Sequence, residues 1–116
     1  MTIEDLRNQI DVLDRQIVEL LSERARAVQM IGQLKAANSL PVYEPDREKI
    51  IYASLSAANK GPLPDTELRH VYERILDVMR ALQRNELASQ KNALAAMERA
   101  TGQAEGATSP QTGTKK

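Results

Sequence analysis

From Ile3 to Leu34 apolar residues recur at alternating steps of three and four: Ile3, Leu6, Ile10, Leu13, Ile17, Leu20, then Ala27, Ile31 and Leu34. That spacing follows the 3.6-residue period of an α-helix, so it predicts one unbroken amphipathic helix. Thr2 or one of its neighbours is placed to cap its start, Glu4 and Asp5 favour the positive end of its dipole, and Asn38-Ser39 with Pro41 beyond marks its stop. About 35 residues rising 1.5 Å each make a rod of roughly 50 Å. A compact domain of this size has a radius of gyration of about 13 Å, so the rod overhangs its own fold. An apolar seam left exposed over that length is an association surface, and a second copy of the same helix covers it most economically. A homodimer is expected from length alone.

The segment SLPVYEPDREK follows, with Pro41 and Pro45 bracketing a short extended connection and Pro45 suited to the first turn of a new helix. This second helix is expected over about 46–58, with Ile51, Leu55 and Ala58 as its apolar side and Ile50 alongside, before Asn59-Lys60-Gly61-Pro62 ends it. Asp65 or Thr66 is expected to cap a third helix, whose stripe is Leu68, Val71, Tyr72, Ile75, Leu76, Met79 and Leu82, running to at least Arg84. Beyond it, NELASQKNALAAMERA has fair helix propensity but few large apolar residues, and TGQAEGATSPQTGTKK reads as disordered. The fold class is all-α, three helices of long, short and medium length. One domain is expected over 1–85, with 86–116 a tail that is partly helical and then disordered.

Composition narrows the function classes. The 116 residues hold 16 basic and 16 acidic side chains, so the chain lacks the basic footprint that drives binding to nucleic-acid backbones. With no cysteine and one histidine, neither thiol chemistry nor a zinc site is expected. The start, MTIEDLRNQI, resembles no signal peptide, and no run is long enough to cross a bilayer, so a cytoplasmic location is expected.

Several residues break the structural pattern. The three-four rhythm puts Arg24 where the next large apolar residue of the first helix belongs. A guanidinium on a buried face costs several kcal/mol unless paired, and it suits a carboxylate gripped by two parallel hydrogen bonds. A structural ion pair or a side chain reaching out to solvent is the alternative. Lys35 lies eleven residues on, about three turns and roughly 16 Å along the same face, leaving room for a small, doubly charged ligand between the two. A solvated lysine near the negative end of the dipole is the plainer reading. Arg7 is about 25 Å back along the rod and turned away, so it serves the same ligand only from a partner subunit; otherwise it is a surface arginine. In Glu44-Pro45-Asp46-Arg47-Glu48 the acids suit a first helical turn, whereas Arg47 is disfavoured there by the dipole. Gln83 stands one turn after Met79, an amide at the edge of an apolar face. His70 reads as a solvated helix residue, and the methionines as packing.

In order and spacing, LRNQIDVLDRQIVELLSERARAVQMIGQLK, then PVYEPDREK, then RILDVMRALQ resemble the all-helical (type II) chorismate mutases over roughly Leu6 to Gln83. The resemblance implies an intertwined homodimeric bundle and a pericyclic rearrangement of chorismate to prephenate that needs no cofactor. It implies catalytic roles for Lys35 and Gln83 as donors to the ether oxygen, and for Glu48 as acceptor from the substrate hydroxyl. Arg24 looks like the carboxylate-binding arginine, Arg7 like the arginine donated across the dimer, and Arg47 like the one beside Glu48. Glu44 stands where relatives often carry aspartate, and there the backbone amide is expected to matter more than the side chain. Met79 departs from relatives that place a serine against the ring carboxylate, a lost neutral hydrogen bond of about 1 kcal/mol.

Other functions fit the same residues. Isochorismate pyruvate lyase shares this fold and acts on a related dianion. A non-catalytic module that binds chorismate or prephenate and touches an aromatic-pathway enzyme is a second alternative, for which the tail beyond Arg84 is the suggestive feature. A plain coiled-coil adaptor leaves Arg24 and Lys35 without a ligand.

Overall fold

The helical periodicity appears in the computed structural model as α1 (Ile3–Asn38), α2 (Pro45–Ala58) and α3 (Asp65–Thr108), with no strand among the described residues. The structure describes the backbone of residues 1–108 and the side chains of residues 1–101.

Local chemistry sets each boundary. Thr2 Oγ1 accepts from the Asp5 amide at 3.1 Å while the Asp5 carboxylate accepts from the Thr2 amide at 3.0 Å. This reciprocal box satisfies two of the donors that a helix start leaves free. At the other end Ser39 takes a left-handed conformation, φ 55°, and the Leu40 amide closes onto the Lys35 carbonyl at 2.9 Å. Pro45 occupies the first turn of α2, as its missing N–H allows, and Glu44 at the cap makes no side-chain capping bond.

Between α2 and α3, Asn59 acts as a staple. Its amide nitrogen donates to the Leu63 carbonyl and to Asp65 Oδ1, and its oxygen accepts from the Gly61 amide. Gly61 sits at φ 73°, a backbone conformation that side chains disfavour. The expected cap shifts by one residue: Asp65 is already helical, and Leu68 donates to the Pro64 carbonyl. Asp65 is engaged by Asn59 rather than by an amide of its own first turn.

The third helix is longer than its apolar stripe suggests, and the expected disorder from Thr101 does not hold for 101–108, which are helical. Ala, Leu, Glu, Gln and Lys dominate 86–100, and no proline intervenes before Pro110, so propagation continues without a large apolar face. The rest of that expectation, residues 109–116, lies outside the described residues.

The molecule measures 83 × 36 × 15 Å with a radius of gyration of 23.3 Å, well above the roughly 13 Å of a compact chain of this length. Val28 of α1 and Leu76 and Met79 of α3 form the buried apolar core. Helix α2 buries no residue fully and rests on α3, where the Arg69 guanidinium lies 3.9 Å from the centre of the Tyr52 ring. Ile3, Leu6, Ile10, Leu13, Ile17 and Leu20 of α1 remain 44% to 70% exposed. No helix among the described residues is long and apolar enough to cross a membrane.

Candidate active site

The site begins with a glycine. A Cβ added at Gly32 would sit 3.2 Å from the Glu86 Cβ and 3.4 Å from the Gln83 Cα, so α1 and α3 approach closely there. Glycine inside a helix costs about 1 kcal/mol relative to alanine, and the close approach is what it permits. Just above the crossing, Lys35 of α1 is 5% exposed. Its ammonium donates to Gln83 Oε1 at 2.8 Å and to the Val42 carbonyl at 3.2 Å, and stands 3.5 Å from Glu44 Oε1. A buried ammonium is tolerable only with such partners.

The Glu44 side chain thus contacts Lys35, in addition to the backbone amide to which the resemblance drew attention. Having no capping bond, its carboxylate is free to reach Lys35. Gln83 accepts from Lys35, which leaves its amide nitrogen to donate, and that nitrogen has no protein acceptor among the described residues.

These groups line a cleft of about 280 Å³, at the small end of ligand pockets. Its apolar wall includes Val28, Ile31, Ile51, Leu76 and Met79. Its charged lining is Arg24, Lys35, Arg47 and Arg80 against Glu44 and Glu48, two more cations than anions. Of the residues singled out in the sequence, Arg24, Lys35, Glu44, Arg47, Glu48, Met79 and Gln83 meet here. Arg24 and Lys35 do face one space, as their eleven-residue spacing requires. Arg7 is exposed on the first turns of α1 and does not line the cleft. His70 is exposed, 3.9 Å from Glu67.

Two participants went unnoticed in the sequence. Arg80 pairs with Glu48 of α2 and with Asp77 one turn back on α3. Desolvation pulls the Arg80 guanidinium down, but the hydrogen bond and charge of Glu48, with Asp77, raise it above its ordinary value. In the sequence Asp77 and Arg80 look like any surface pair three residues apart. Gly32 carried a clearer signal, a glycine in the interior of a 36-residue helix with no turn to explain it.

Comparison with known proteins bears on this geometry. The family model for chorismate mutase type II matches residues 6–84. The bifunctional chorismate mutase/prephenate dehydratase of Aquifex aeolicus is 34% identical over 86 residues, 71% of this chain and 24% of that protein. The chain thus spans about a quarter of the length of that curated relative. Among solved structures, a chorismate mutase from Thermus thermophilus superposes with a TM-score of 0.69 at 41% identity, covering 71% of this chain and 93% of the other. A Helicobacter pylori chorismate mutase in complex with prephenate gives 0.69 at 31% identity, covering 74% and 93%.

Proposed function

The chain belongs to the type II chorismate mutase family, and from that premise we propose that it converts chorismate to prephenate in the Lys35 cleft, as a step of phenylalanine and tyrosine synthesis. The observation that carries the reading is a buried lysine, bonded to an amide whose nitrogen remains a donor, inside a small apolar cleft with an excess of two cations. That charge balance complements a dianion.

The reaction is intramolecular: the ether C–O bond breaks as a C–C bond forms, with no nucleophile and no proton transfer. Only a compact diaxial conformer brings the enolpyruvyl carbon over the ring, and clamping both carboxylates selects it. Arg24 grips one carboxylate from within the cleft, with Arg47 nearby, and Arg7 of the partner subunit reaches the other. Glu48 accepts from the ring hydroxyl. Negative charge grows on the ether oxygen as its bond stretches, and Lys35 and the Gln83 amide meet it there. Donors preorganised for developing charge lower the barrier by about 3 to 4 kcal/mol each in comparable sites. Of the three groups around Lys35, Glu44 is the most distant and is half-exposed, so its contact is the one that yields to the ether oxygen. Met79 supplies packing rather than a hydrogen bond.

The uncovered seam of α1 supports a homodimer in which the two long helices pair, each chain lending Arg7 to the other's cleft. Residues 1–85 then form the catalytic domain, and 86–116 an appendage to it. Its relatives include a protein named for both chorismate mutase and prephenate dehydratase, which supports a partner that consumes prephenate.

The test is the loss of chorismate absorbance with purified protein, with prephenate identified as product. Conversion is the expected result. Binding without turnover would favour a regulatory module, and release of pyruvate from isochorismate would favour the lyase.

A further inference from the structure

Helix α2 has few anchors: no side-chain cap, no fully buried residue, and its ties to α3. One tie is Arg69 over Tyr52. Another is the pair between Arg80 and Glu48, which ends at the cleft. Both side chains are about one-fifth exposed, at 22% and 21%, so the pair is more than a solvated surface contact.

Its connectivity is specific. Arg80 Nη1 donates to Glu48 Oε2, whereas Nη2 donates to Asp77 Oδ1 on the same helix. Asp77 thereby fixes the rotamer of Arg80, and Arg80 fixes the carboxylate of Glu48. The Tyr43 ring, 5.8 Å from the Arg80 guanidinium carbon, closes another side. Both terminal nitrogens of Arg80 serve carboxylates, while Glu48 keeps Oε1 with no protein donor among the described residues.

We infer that Arg80 is a positioning residue for Glu48, holding one oxygen so that the other is presented to the ring hydroxyl of the substrate. The inference rests on the reading of Glu48 as the hydroxyl acceptor. A charged donor is the right device, because guanidinium stays protonated at any working pH and its fork fixes direction as well as charge. Without it, Glu48 sits on a loosely held helix and samples rotamers that miss the substrate.

A double-mutant cycle measures this dependence directly. Arg80→Met should lower kcat/KM for chorismate about 10- to 100-fold, as expected for loss of a charge-assisted bond. In a Glu48→Gln background the same change should cost less than about 3-fold, because the carboxylate whose charge holds Arg80 is already gone. Arg80→Lys should recover part of the loss in the parent background and none in Glu48→Gln. Thermal melts accompany each variant, and if Arg80→Met does not fold, Arg80→Lys in the two backgrounds completes the cycle. Equal losses in both backgrounds, or no loss from Arg80→Met, would overturn the inference. Full activity of Glu48→Gln would overturn it while leaving the mutase reading intact, whereas a wild-type protein inert toward chorismate would remove both.

Discussion

The two halves of α1 obey one periodicity and meet opposite fates. Between Arg24 and Lys35 one face of the helix is covered by α3, which buries Val28, Gly32 and also the charged Lys35, while Met30, Ile31 and Leu34 stay 44% to 64% exposed. Between Ile3 and Leu20 the pattern is more regular and more apolar, yet its large side chains are all at least 44% exposed. Hydrophobic pattern therefore says which face seeks cover, not where the cover comes from. Within this chain the buried residues of α1 lie only in the half that carries the cleft, and the proposed dimer would cover the other half with a second copy.

That contrast is broken most forcefully at the uncovered half. Leu13→Glu puts a charge at the middle of the proposed helix pairing, where an unpaired buried ion costs about 3 to 5 kcal/mol. Sedimentation should show monomers at concentrations where the parent protein is dimeric; an unaltered dimer would place the association surface elsewhere. On the covered half, Lys35→Ala should lower kcat/KM for chorismate by at least about 100-fold, the scale of a lost oxyanion-type donor. Its melting temperature should fall little, because the change removes a buried charge together with its desolvation cost. A smaller loss would mean that Gln83 and the arginines carry the reaction.

Gly32 sharpens the comparison by testing how tightly the covered half is set. Alanine there gains about 1 kcal/mol of helix propensity and meets overpacking of about 1 to 3 kcal/mol against Gln83 and Glu86. Stability should change little, while activity falls about 10-fold as Gln83 is pushed off Lys35; valine should be worse in both. Activity kept by Gly32→Val would separate the crossing from the site. The smallest effect concerns pH. Burial and then Glu73 raise the Tyr52 phenol above its ordinary 10.0, with Arg69 opposing. The folded chain thus holds that proton harder than the unfolded chain does. The stabilisation is complete below pH 10 and is lost as pH rises through the folded value, so Tyr52→Phe should flatten the alkaline end of the stability profile.

Most of this architecture was legible because it is local. Thr2, Ser39 and Pro45 fixed boundaries through backbone chemistry that a few adjacent residues determine. The cleft was legible in part because Arg24 and Lys35 are exceptions to a repeating pattern, and exceptions on one helix face can be placed by angle. Arg80 was not, since its partner Glu48 lies 32 residues away on another helix and nothing in either local pattern points across. The contact between the Glu44 side chain and Lys35 was hidden for a similar reason, since that lysine lies on another helix, α1. The length of α3 was underestimated because a polar helix has no stripe to reveal it. The role proposed for Arg7 depends on a second chain, which one sequence does not encode as a contact.

The central claim is that the uncovered half of one α1 completes the cleft built on the covered half of another. Arg7→Ala and Lys35→Ala homodimers, each nearly inactive, should be mixed under conditions that exchange subunits, and turnover of chorismate followed. In a heterodimer one cleft carries both lesions and the other carries neither. With random exchange the mixture should thus recover about a quarter of wild-type activity. Heterodimers that form and remain inactive would contradict the account, because Arg7 and Lys35 would then not meet across the dimer.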